Sequence, residues 1–144
     1  MVSPDIEQST KLQLDWNKLT AAGGSNRAVV PVVLQDSISR DVLFVGYTDE
    51  AGLAESLSTG DVVLFSTSRQ ERWHKGATSG DTLRLVQARV NCEQNSLLYL
   101  VERTTGRACH TYHLDGRTRA HCYYRELSDT GTLRFVEARQ APQL

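Results

Sequence analysis

The chain has 144 residues, 40% of them hydrophobic, which suits a single core of ordinary domain size. Its 16 Lys and Arg nearly balance 17 Asp and Glu, so it has no basic footprint for nucleic acid or an anionic membrane surface. No apolar run is long enough to span a bilayer, and the polar start with Asp5 and Glu7 lacks the blocks of a secretory signal. A cytoplasmic setting is therefore expected.

Residues 1–13 read as a flexible leader and residues 14–144 as one domain. Leu14 to Leu19 is a short amphipathic stretch suited to one or two helical turns, followed by a flexible Gly-containing loop over 21–26. The β-branched run 28–34 predicts a strand, with Pro31 suggesting an edge or an irregular start. The polar turn 36–40 and the run 42–47 complete a hairpin. Thr48 is the expected N-cap of a helix whose first turn carries Asp49 and Glu50, with Leu53 and Leu57 on one face and Gly60 as C-cap.

A short strand is expected over 62–65, then a long polar loop over 66–80. Two longer strands follow at 83–91 and 97–103. The apolar residues of the first change face midway, which suggests a bulge. After a turn at 104–107, short strands are expected at 122–127 and 133–137. The pattern is a strand-rich α+β domain with one main helix.

The three cysteines, Cys92, Cys109 and Cys122, stand 17 and 13 positions apart, which matches no zinc finger or ribbon. An odd, small number argues against a disulfide framework. Spacing alone leaves them as small buried hydrophobes. Their neighbours favour metal: His110 follows Cys109 and His121 precedes Cys122. Three thiolates leave a catalytic zinc one open position for water, and an adjacent imidazole can move a proton.

A second constellation lies at Ser66, Thr67, Ser68 and Arg69, then Trp73 to Gly80. Hydroxyls, backbone N–H groups, Arg69 and Lys75 suit phosphate, and Trp73 suits stacking on a flat base. An ordinary polar surface loop with one inward tryptophan fits the same residues.

The run Trp-His-Lys-Gly-Ala-Thr-Ser-Gly at 73–80 is similar to the signature of phosphoribosyl-AMP cyclohydrolases. Ser-Thr-Ser-Arg at 66–69, Ala-Cys-His-Thr at 108–111 and Cys-Tyr-Tyr-Arg at 122–125 resemble further motifs of that family, in its order. Val30-Pro31 and Gln35-Asp36 resemble its opening strand and turn, so the likeness covers about Leu14 to Leu127. It implies a compact, intertwined α+β homodimer with a small-molecule nucleotide as substrate. It further implies zinc on Cys92, Cys109 and Cys122, with thiolates from both subunits, and His110 as the proton-transfer residue. Ser66, Ser68, Arg69, Trp73, Lys75, Thr78 and Ser79 would belong to the substrate pocket. The implied reaction is hydrolysis of the N1–C6 bond of an N1-ribosylated adenine nucleotide in histidine biosynthesis. The partner pyrophosphohydrolase is expected to be missing from this chain.

Two segments depart from the family. Its first cysteine lies among aspartates that bind magnesium, whereas this chain has Asn91, Glu93 and Asn95 around Cys92. A weakened magnesium site is expected there, because magnesium prefers charged oxygens. Between Cys109 and Cys122 the separation is also longer than the family's, and Asp115-Gly116 marks a turn within the extra residues. That insert contains His113 and His121, read as exposed loop residues or else as ligands, proton carriers or substrate contacts. The departures keep two alternatives open: a divergent member acting on another purine-like nucleotide by ring opening or deamination, and a non-catalytic zinc-stabilised nucleotide-binding dimer.

Overall fold

A computed structural model describes residues 4–14, 16 and 28–136. In chain order the elements are α1 (Pro4–Gln8), β1 (Val30–Asp36), β2 (Val42–Thr48), α2 (Glu50–Thr59), β3 (Val63–Ser66) and β4 (Glu71–His74). β5 (Leu83–Val90), β6 (Leu97–Arg103), β7 (Arg125–Leu127) and β8 (Leu133–Phe135) follow. The class is α+β, strand-rich, with one main helix. The expected leader contains α1. Most of the amphipathic stretch, the loop at 21–26 and residue 137 lie outside the described residues.

Four strands form a mixed sheet in the order β2-β1-β6-β5. β1 pairs antiparallel with β2, as the hairpin pattern predicts, but parallel with β6. Along β1 burial alternates strictly, and Val30, Val32 and Leu34 send their side chains into the core. Leu43, Leu97, Tyr99, Val101 and Leu83 join them from the neighbouring strands. β3 and β4 make a separate hairpin, and Leu64 and Val62 bring it into the same core.

Several local expectations change. Pro31 does not mark an edge, since β1 is interior. Its pairing with β6 begins only at Val32, so the missing N–H falls before that ladder. Thr48 is the last residue of β2, paired with Val30, and the N-cap passes to Asp49, whose carboxylate accepts from Gly52 N at 2.8 Å. Gly60 is the C-cap in the left-handed region, with φ 81°. Leu53 is buried, whereas Leu57 is exposed, so only one of the two faces the core. The polar stretch 66–80 contains β4, because Trp73 pairs with Leu64 and packs against the core. The bulge in β5 is present: the register shifts between Leu85 and Gln87, leaving Val86 outward.

Candidate active site

Cys109 lies beyond the end of β6, where the chain makes a hairpin excursion before returning to Cys122. His113 N donates to Arg117 O at 2.7 Å, Tyr112 bridges Thr118, and Gly116 turns the tip at φ 84°. The hairpin closes where Ala108 N and Cys109 N both donate to Arg119 O, at 3.2 and 3.0 Å. Cys122 N is then held by Leu43 O at 2.8 Å. The excursion therefore absorbs the long separation and brings the Cys122 thiol near enough to Cys109 to feel its charge. Cys109 is buried, and Thr111 Oγ1 lies 2.9 Å from its sulfur.

Lys75 completes this cluster. It is buried, feels the field of both thiols, and donates from Nζ to Asp81 O at 3.2 Å. Burial pulls its pKa down, against the opposing pull of Asp81 and the two cysteines. The Cys122 thiol is pushed up to about 12, by burial first and then by Cys109. Cys109 is buried and Cys122 half-buried, and a cation beside them would favour the Cys122 thiolate.

Asp81 lies outside the sequence motifs. Its carboxylate accepts from Thr105 Oγ1 at 2.7 Å and Thr118 Oγ1 at 2.6 Å, and Arg107 stands 4.0 Å away. Burial acts to raise its pKa, but these hydroxyls and cations outweigh it and hold the group below its usual value. The signal available was its position directly after the Thr-Ser-Gly run. Asp81 thereby ties the loop after β4 to both segments that flank the cysteines.

The other substrate-pocket residues separate into two places. Ser66, Ser68 and Arg69 gather at the β3–β4 turn, where the two hydroxyls lie 3.2 Å apart and Arg69 N donates to Ser66 Oγ at 3.2 Å. Arg69 also pairs with Glu71 at 3.6 Å. Thr78 and Ser79 lie with Lys75 past the opposite end of the hairpin, about 10 Å away by strand rise. Trp73 is half-buried against the core. His110 is exposed beside Cys109. His113 lies at the excursion's tip, 3.9 Å from Asp115. His121 is buried rather than exposed; its Nδ1 accepts from Tyr123 N at 3.1 Å, so its neutral ring carries the proton on Nε2.

Cys92 is elsewhere. It is exposed on the turn between β5 and β6, at the start of β6. At the far end of that strand, about 20 Å away, Arg103 Nη1 donates to Ala120 O near the Cys109–Cys122 pair. Among the described residues no three His, Cys, Asp or Glu side chains assemble into a metal site. One chain thus offers two thiols to a zinc ion, Cys109 buried and Cys122 half-buried, and they fit it in kind. The group around Cys92 does not fit magnesium, since Glu93 is its one charge and the amides of Asn91 and Asn95 bond to each other.

Residues 44–124 match the family model for phosphoribosyl-AMP cyclohydrolase. The chain belongs to that family. The cyclohydrolase span contains all three cysteines, Lys75 and Asp81. A phosphoribosyl-AMP cyclohydrolase of Acidiphilium cryptum is 40% identical over 114 residues, covering 78% of this chain and 91% of that protein. One from Haloarcula marismortui is 46% identical over 82 residues, covering 57% of this chain and 68% of the relative. The histidine biosynthesis bifunctional protein of Shewanella oneidensis is 43% identical over 98 residues, covering 68% of this chain and 43% of that longer protein. Within the cyclohydrolase family, then, the match reaches both stand-alone and two-function proteins.

Proposed function

We propose that this chain is a zinc-dependent phosphoribosyl-AMP cyclohydrolase of histidine biosynthesis. The observation that carries the reading is the meeting of Cys109 and Lys75, both buried, with the half-buried Cys122 inside the family-matched span. Cys109 and Cys122 would hold zinc from one chain, and Cys92 would come from a second copy, which makes the working unit a homodimer. When bound, zinc supplies a Lewis acid that lowers the pKa of its water from 15.7 to roughly 7.

The chain's own residues account for the rest. The Lys75 ammonium offsets the negative charge of two adjoining thiolates, and Asp81 holds Lys75 in place through its backbone carbonyl. Ser66, Ser68 and Arg69 form a hydroxyl-lined cationic turn suited to one phosphate of the substrate. Ribosylation at N1 makes the adenine ring cationic and C6 electrophilic. Water adds to C6, the N1–C6 bond breaks, and the exocyclic amine stays on carbon, giving the formimino carboxamide ribotide. His110, exposed next to Cys109, carries the proton from the water towards N1.

The test is turnover of phosphoribosyl-AMP by the zinc-loaded protein, followed by ultraviolet absorbance with Cys109→Ala as control. Turnover that vanishes in the variant supports the reading. A folded, zinc-bound protein that leaves this substrate untouched overturns it.

A further inference from the structure

The turn that carries Cys92 is closed by neutral amides. Asn91 Oδ1 accepts from the backbone N–H groups of Asn95 and Ser96, each at 2.9 Å. Asn91 Nδ2 donates to Asn95 Oδ1 at 2.6 Å, and Asn95 Nδ2 reaches Glu93 Oε2 at 3.5 Å. Gln94, buried and at φ 54°, faces the leader: its Oε1 accepts from Gln13 N, and its Nε2 donates to Lys11 O at 3.0 Å.

The Asn91 Nδ2 to Asn95 Oδ1 contact does what a bridging cation would do, which is to hold the side chains of residues 91 and 95 together. Asn91 Oδ1 has both lone pairs engaged by backbone donors. The contact from Asn91 to Asn95 needs an N–H between the two side chains. Two carboxylates in those places would repel unless a dication lay between them.

We infer that Asn91 and Asn95 are positioning residues that hold the Cys92 turn by hydrogen bonds in place of a divalent cation, so that this enzyme works without magnesium. The inference rests on the reading of Cys92 as a zinc ligand. The contact between Asn91 and Asn95 joins two neutral amides, so its closure of the turn is independent of magnesium supply. Glu93, exposed and the only charge in the segment, stays at the rim.

The experiment uses full-length, zinc-loaded protein with manganese(II) as the probe, read by the electron paramagnetic resonance signal of the free ion. Wild type should leave manganese free, and magnesium should leave its kcat unchanged. The Asn91→Asp/Asn95→Asp double variant should bind one manganese per chain and lose activity until magnesium is added. Asn91→Ala should weaken zinc binding by about 10–100-fold, with loss of thiolate-to-metal absorption in the cobalt(II)-substituted protein that magnesium does not restore. Stoichiometric manganese on wild type overturns the inference, and so does an Asn91→Ala cobalt spectrum equal to wild type. The manganese result on wild type stands even if a variant does not fold. Cys92→Ala separates the two levels: an unchanged cobalt spectrum there sinks the ligand reading, and with it the positioning role.

Discussion

Lys75 donates from Nζ to the backbone carbonyl of Asp81 at 3.2 Å, while the Asp81 carboxylate accepts from Thr105 and Thr118. One residue therefore fixes the buried ammonium with its backbone and anchors both cysteine-bearing segments with its side chain. Asp81→Asn keeps the backbone contact but removes the charge facing Lys75 and Arg107. It should cost about 2 kcal/mol of stability in urea denaturation, and kcat should fall further than that loss of folded protein explains.

Gly76 sits between these partners at φ 84°, where an added Cβ would lie 2.4 Å from the Asp81 carbonyl carbon. Backbone cannot swing aside as a flexible side chain can. Gly76→Ala should destabilise by about 2–4 kcal/mol. Gly80, at φ 83° with open space around it, provides the contrast. Gly80→Ala should cost only the left-handed strain of about 1–2 kcal/mol. Thermal unfolding of the two variants side by side checks the difference.

The Asp36–Arg103 pair, 2.9 Å apart and mostly buried, predicts an acid-side stability loss. Burial acts to raise the Asp36 pKa, but the backbone N–H groups of Ser39 and Ile38, with Arg103, outweigh it and leave it lowered. A carboxylate lowered on folding adds stability that is complete above its unfolded value of 3.8 and is lost as pH falls through the lower folded value. Asp36→Asn should flatten the fall of the unfolding midpoint below about pH 4, relative to wild type.

The thiols should separate by reactivity once metal is removed. Cys92 is exposed, whereas the Cys122 thiol, raised to about 12, stays protonated at neutral pH. Metal-free protein should therefore be alkylated first at Cys92 and only slowly at Cys109 and Cys122. Zinc should protect all three, with Cys92 protected only in the dimer. Peptide mapping after timed alkylation reads both results.

The hairpin of β1 and β2, the helix ending at Gly60 and the bulge in β5 were legible because each rests on local chemistry: alternation, a left-handed glycine, a change of face. The parallel pairing of β1 with β6 was not, since it joins strands more than sixty positions apart with no local signal. Thr48 and Asp49 are both good caps, and only the pairing of Thr48 with Val30 decides between them. The motifs named the cysteines, but the placement of Cys109 against Cys122 depends on hydrogen bonds to Arg119 and Leu43 across the fold. Asp81 was not legible, because an aspartate after a glycine reads as a turn until Thr105 and Thr118 fold onto it.

The central claim is hydrolytic ring opening, and the mass of the product formed in oxygen-18 water tests it most directly. The account predicts a product that has gained one labelled water and kept every nitrogen, with no ammonia released. Ammonia release with loss of the exocyclic amine would contradict it, by making the reaction a deamination, and so would substrate recovered unchanged from zinc-loaded protein.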